Sequence, residues 1–181
     1  MRATDKQIQE WKSKHGGVYM IPVDDKVIYL REPNITDWKR AFTAMQKNGE
    51  IGFTEEMVGA LWLDGDAEVK TDDRYFVPLV KEMPTFFNYD DAIVIKEGAN
   101  YVITIGEASC KIRIITRDDL KIAERKNPSG KPFVTQENLF DMVVIEKDEA
   151  FADRNNAELR FPLYKAIEDL QKQKIASIKK L

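Results

Sequence analysis

Val18 to Ala41 reads VYMIPVDDKVIYLREPNITDWKRA, and its order of residue types returns 82 residues later, from Asn100 to Ala123. At that constant offset, without gaps, Tyr19 faces Tyr101, Ile21 faces Ile103, Val23 faces Ile105, Leu30 faces Ile112, Asp37 faces Asp119, Trp38 faces Leu120 and Ala41 faces Ala123. Few positions are identical. What is shared is a plan of two apolar-alternating runs around a turn, then a polar helix start, then a helix, and self-similarity at a fixed period decides an architecture before any local detail does.

Each copy opens with a predicted β-hairpin. Val18, Met20, Ile28 and Leu30 alternate with Tyr19, Ile21 and Tyr29, and Asp24-Asp25-Lys26 supplies a polar turn tolerant of tight backbone angles. Gly106 to Ser109 takes that place in the second copy. Pro33 closes the first hairpin because it cannot donate to a ladder. A helix follows, capped by Asn34 or Thr36, with Trp38, Ala41, Phe42 and Met45 on one face.

Outward from this stretch, Thr4 and Gln7 stand in capping-box spacing for a lead-in helix that Gly16-Gly17 stops, and Ile8 and Trp11 face the hairpin. Lys47-Asn48-Gly49 reads as a helix stop, Thr54 as the cap of a second helix through Met57, Val58, Leu61 and Trp62, and Asp64-Gly65 as its end. A third helical stretch runs from Thr71 to Met83, where Pro78 marks a kink or a first turn and Pro84 the end. In the second copy Val134 to Glu137 is matched to Phe53 to Glu56, Leu139, Met142 and Val143 to Val58, Leu61 and Trp62, and Phe161-Pro162-Leu163 to Val77-Pro78-Leu79. Ala92 to Ile95 is a joining strand or a crossing segment, Lys126 to Lys131 a polar turn, and a final helix spans about Pro162 to Leu181, its end QKQKIASIKK projecting.

The expected fold class is therefore α+β, with two similar lobes, residues 1–87 and 88–181, each a hairpin or small antiparallel sheet packed with two or three helices. The 181 residues, 43% apolar and 33% charged, suffice for one core or two small ones. A net charge of -3 provides no field for nucleic acid or an anionic membrane surface. No apolar run reaches the roughly 18 residues of a membrane span, and MRATDKQIQEWKSK lacks a signal-peptide core, so an intracellular location is expected.

Chemistry-bearing patterns are few. His15 abuts the Gly-Gly stop and reads as a favourable charge at a helix end, not as a catalytic imidazole. Cys110 lies in an apolar-alternating run and reads as a packed thiol. Cys/His metal spacing and phosphate-cradling glycine loops do not occur. Asp64, Asp66, Glu68, Asp72 and Asp73 superficially resemble a calcium loop, but position six is Val69 and position twelve Tyr75, so they read as a solvated, helix-capping loop. Trp38, Phe42, Trp62, Tyr75 and Phe76 fall at core spacings without interleaved basic residues, unlike a nucleic-acid platform. No catalytic, cofactor-binding or metal-binding residue is assigned.

Lys14-His15-Gly16-Gly17-Val18-Tyr19, the VYMIPVDDKVIYLREP hairpin, the polar helix start after Pro33 and the Leu61-Trp62-Leu63-Asp64-Gly65-Asp66 exit together resemble the small tail assembly chaperones of tailed phages, over about residues 6 to 83. The second copy departs from that pattern by losing Trp38, Trp62 and the Asp-Gly-Asp exit. The resemblance implies a non-enzymatic assembly protein of the bacterial host cytoplasm, with no cofactor. Its partners would be phage structural proteins, the helical tape-measure protein first among them, with self-association left open and no nucleic-acid or membrane partner. The alternatives are a structural virion component, such as a neck, connector or packaged protein, and an enzyme of unrecognised type. In the resembled family a ribosomal frameshift often yields a longer form, and Lys179-Lys180 is where an A-rich slippery run could lie.

Overall fold

The computed structural model describes residues 2–172. Of the expected projecting tail, Gln171 to Lys180, the part from Gln173 onward lies outside the described residues, Lys179-Lys180 included, while Gln171 still belongs to the last helix. Two compact units divide the chain, one ending at Asn88 and the other starting at Tyr89.

The first unit begins with α1 (Asp5–His15). Thr4 accepts from the Gln7 amide and the Gln7 side chain accepts from the Thr4 amide, so the expected capping box forms, and Gly16 terminates the helix at φ 79. The helix packs on the sheet through Trp11, whose ring lies 5.6 Å from that of Tyr29. Strands β1 (Val18–Val23) and β2 (Lys26–Arg31) pair antiparallel from Val18 opposite Arg31 to Val23 opposite Lys26, around a turn with Asp24 at φ 55. The third strand, β3 (Trp62–Gly65), pairs with β2 across a bulge at Tyr29 and Leu30. Sequence reasoning assigned these four residues to a helix exit. They follow Leu61 without a turn residue, and the apolar stripe of the helix continues unbroken into the strand.

Helix α2 (Ile35–Leu61) is capped by Asn34 and bends at Gly49, which takes φ 66 and ψ -156. The anticipated stop is thus a kink, and the second half starts directly after it. Thr54 lies inside this half and donates to the Glu50 carbonyl instead of capping. A one-turn α3 (Glu68–Thr71) leads to α4 (Asp73–Glu82), capped by Asp72, and a 3-10 turn at Met83–Thr85. Pro78 is interior to α4, not in its first turn. The core gathers Trp38, Phe53 and Phe87 with Ile28, Leu30, Met57 and Leu61. The Trp38 ring stands edge-on to Phe87 at 5.9 Å and tilted to Phe53 at the same distance.

The second unit adds β4 (Ile93–Glu97) before β5 (Asn100–Ile105), β6 (Ala108–Arg113) and β7 (Val144–Lys147), in the order β4-β5-β6-β7, all antiparallel. Its turn is only Gly106-Glu107, because Ala108 and Ser109 already pair. Helices α5 (Arg117–Arg125) and α6 (Val134–Val143) correspond to the halves of α2, separated by a loop in which Asn127 donates to Lys131 O and accepts from Lys131 N. After a 3-10 turn at Glu149–Ala152 comes α7 (Ala157–Gln171), which starts five residues before the expected Pro162 because Asn156 caps it.

The units therefore share an α+β construction: a hairpin whose second strand pairs, across a bulge, with a third strand brought back by helices. The 82-residue offset runs further than the sequence reading carried it. The bulge at Tyr29 and Leu30 recurs at Lys111 and Ile112, and Leu30 opposite Trp62 recurs as Ile112 opposite Val144. This corrects the matching of the second helices by one position: Val143 stands for Leu61, not for Trp62. Pro78 and Pro162 are each the sixth residue of their helix, behind caps Asp72 and Asn156, so that pairing holds with two residues inserted.

Candidate functional site

The most organised polar feature occurs once in each unit. Arg31 ends β2, and its guanidinium meets Asp37 in the first turn of α2 through two parallel bonds, Nη1 to Oδ2 at 2.7 Å and Nη2 to Oδ1 at 3.0 Å. The same nitrogens also donate to Glu32 O at 2.9 Å and to Ala60 O at 3.0 Å. Ala60 lies in the last turn of α2, where carbonyls lack helical partners and a cation is favoured. Asp37 in turn accepts from the Asn34 amide at 3.0 Å, closing a capping box. One ion pair thus fastens the end of a strand, the start of one helix segment and the end of the next.

Arg113 repeats every contact. It meets Asp119 at 2.6 and 2.8 Å, Ile114 O at 3.1 Å and Met142 O at 3.3 Å, and Asp119 accepts from Thr116 N at 2.9 Å. The Arg113 guanidinium, together with the Thr116 hydrogen bonds, holds the Asp119 carboxyl well below its ordinary range despite burial. Both aspartates are buried, at 4% and 7% exposure, so each carboxylate depends on its arginine.

The acidic loop is taken up locally. Asp66 accepts from Val27 N at 2.9 Å while its own amide donates to Val27 O at 3.0 Å, extending the sheet by a side chain. The Val27 bond is the main reason that its carboxyl titrates below the usual value. Asp148 does the same with Ser109, at 2.6 and 3.0 Å. The exit motif is therefore not wholly lost from the second copy: its last aspartate persists as Asp148. Asp72 caps α4 and binds Arg74, which draws its carboxyl down to about 2, and Asp64 accepts from the Gly65 amide. Among the described residues no three His, Cys, Asp or Glu side chains gather as a metal ion would require.

Cys110 is buried, and burial pushes its thiol up to about 12, so no thiolate forms near neutrality. His15 ends α1 as expected, but burial first, and then Lys14 and Arg31, pull its pKa below the ordinary value. The favourable helix-end charge read from sequence is correspondingly weakened. In the second unit Arg160, 3% exposed, donates to the carbonyls of Phe151 and Asp153 and lies 5.4 Å from the Phe140 ring centre. Tyr164 reaches Glu137 at 3.1 Å, and burial raises its phenol. An open cleft of about 360 Å³ lies between α7 and β4, lined by Asp91, Val94, Pro162, Lys165, Asp169 and others, with Lys165 bonded to Asp91 at 2.7 Å.

Sequence reasoning paired Asp37 with Asp119 but missed Arg31 and Arg113. The available signal was an identical arginine at the same offset, six residues before an identical aspartate, while the surrounding apolar residues drift. Large apolar side chains are nonetheless exposed in both units: Met20, Ile51 and Val77 in the first, and Ile93, Ile95, Ile114 and Ile145 in the second. No described helix is long and apolar enough to cross a membrane. No family model, curated protein or solved structure matches the chain.

Proposed function

We propose that this chain is a non-enzymatic assembly protein of the tail-chaperone kind, which holds an apolar helical partner, the tape-measure protein of a tailed phage, until tail subunits enclose it. The observation carrying the reading is a division of labour among side chains. The buried charged groups Asp37, Asp119 and Arg160 are engaged in fastening secondary structure, and the thiol is packed away. The exposed surface of both units instead offers aliphatic side chains among charged ones, Met20 and Ile145 at 58% and 57% exposure among them. Such a surface suits modest, reversible affinity for apolar segments and needs no reactive group.

Co-expression with the tape-measure protein tests the proposal. The partner should co-purify and stay soluble only with this chain present, and deletion of Gln171 to Leu181 should weaken recovery if the basic end takes part. Mass spectrometry of purified particles separates the structural alternative: stoichiometric presence in mature virions would overturn the chaperone reading in favour of a virion component. An A-rich heptamer across the Lys179-Lys180 codons, with an open frame beyond, would favour the chaperone.

A further inference from the structure

Strand β4 has no counterpart in the first unit, and among the described residues no strand lies on its far side. Which of its backbone groups face outward follows from the turn. Glu97 and Asn100 close a two-residue turn and exchange hydrogen bonds, and orientation alternates along a strand, so Ile95 and Ile93 also face Val102 and Thr104. The amides and carbonyls of Val94 and Lys96 therefore point away from the sheet. In the first unit the same argument from the pair Val23 and Lys26 turns Pro22 outward on β1, where its nitrogen carries no hydrogen. That edge is blunted against pairing. The run Ile93-Val94-Ile95-Lys96-Glu97 carries no proline, and its two isoleucines are exposed.

We propose that β4 pairs with β4 of a second copy of this chain, antiparallel about a two-fold axis at Val94, joining two four-stranded sheets into one of eight. The pattern of side chains selects both the partner and the register. Because outward-facing residues must meet, the axis can fall at Val94, Ile95 or Lys96. With Lys96 on the axis two ammonium groups oppose each other, and Ile95 faces a glutamate. With Ile95 on the axis each Ile93 faces Glu97 of the other copy.

Only the axis at Val94 sets Ile93 of each copy opposite Ile95 of the other, covering four exposed isoleucines. It also lays each Lys96 beside the Asp90-Asp91 entry to the opposite strand, a complementary charge. The one like-charged pair it creates, Glu97 across from Asp91, is offset within each chain, where Lys111 binds Glu97 at 3.1 Å and Lys165 binds Asp91 at 2.7 Å.

The test is oligomeric state and register in the full chain. Light scattering with sedimentation over about two decades of concentration should give a dimer that dissociates on dilution. Val94→Pro should be monomeric with unchanged far-UV circular dichroism, since the Val94 amide serves no bond in its own sheet. Ile95→Lys, which keeps the backbone intact, should also be monomeric, and it decides the matter if the proline variant does not fold.

Val94→Cys should form an intermolecular disulfide under mild oxidation, because residues facing each other across the axis lie about 5.5 Å apart at Cα. Lys96→Cys should not, and Cys110 stays silent in its buried place. A wild-type chain monomeric throughout, a dimer that survives both Val94→Pro and Ile95→Lys, or cross-linking at position 96 as fast as at 94 would overturn the proposal.

Discussion

Asp119 shows at a single residue what the paired arginines do. Its carboxyl is held low chiefly by Arg113, so its contribution to stability is whole above about pH 4, where an unfolded aspartate is ionised, and fades as pH falls toward the folded value. Asp119→Asn should cost about 1–2 kcal/mol at neutral pH, a figure moderated by the 41% exposure of Arg113. In urea titrations at several pH values the difference from wild type should shrink steadily on acidification below about pH 4. Gly65 is a second residue with a measurable role. At φ 133, a Cβ there would lie 2.5 Å from Val27 O and 2.7 Å from Ile28 Cα. Gly65→Ala should therefore lose more than about 2 kcal/mol in denaturant titration, with strand pairing to β2 disturbed.

Among the elements, those written in a single period were legible and those that change period mid-run were not. The hairpins and the Thr4 cap stood out because alternation and capping chemistry are local. Strands β3 and β7 did not, since four residues directly after a helix carry neither turn residue nor alternation long enough to separate from the helical stripe. The kink of α2 was legible as Gly49 but not as a kink, because a stop and a bend use the same glycine. Gly49 has open space around it yet adopts a backbone conformation that side chains rarely take. Gly49→Ala should therefore cost about 1–3 kcal/mol through strain alone, seen as a lower melting temperature with native circular dichroism below it. The Arg31 and Arg113 fastenings were legible only at their aspartate end, where both residues repeat at the 82-residue offset; their far ends, Ala60 and Met142, are backbone carbonyls, and any residue type could stand there.

On the scale of the molecule, each unit closes its own core: Trp38, Phe53 and Phe87 belong to the first, and Phe140, Phe151 and Tyr164 to the second. Residues 1–88 expressed alone should thus unfold cooperatively in a thermal or denaturant titration. Loss of a cooperative transition in that fragment would show that the core is not self-sufficient. The 43% apolar composition was compatible with one core or two, and only the offset between copies indicated two.

The constancy of that offset has a consequence at the level of the gene. From Val27 to Asp66 and from Ser109 to Asp148, each fastened pair keeps both its internal spacing and its 82-residue displacement. An in-frame exchange between equivalent codons in these segments would delete or insert one 82-residue period and leave every arginine with an aspartate six residues on and a helix-end carbonyl within reach. Chains of one unit or of three thus lie a single recombination away from this one, without any loop having to be redesigned.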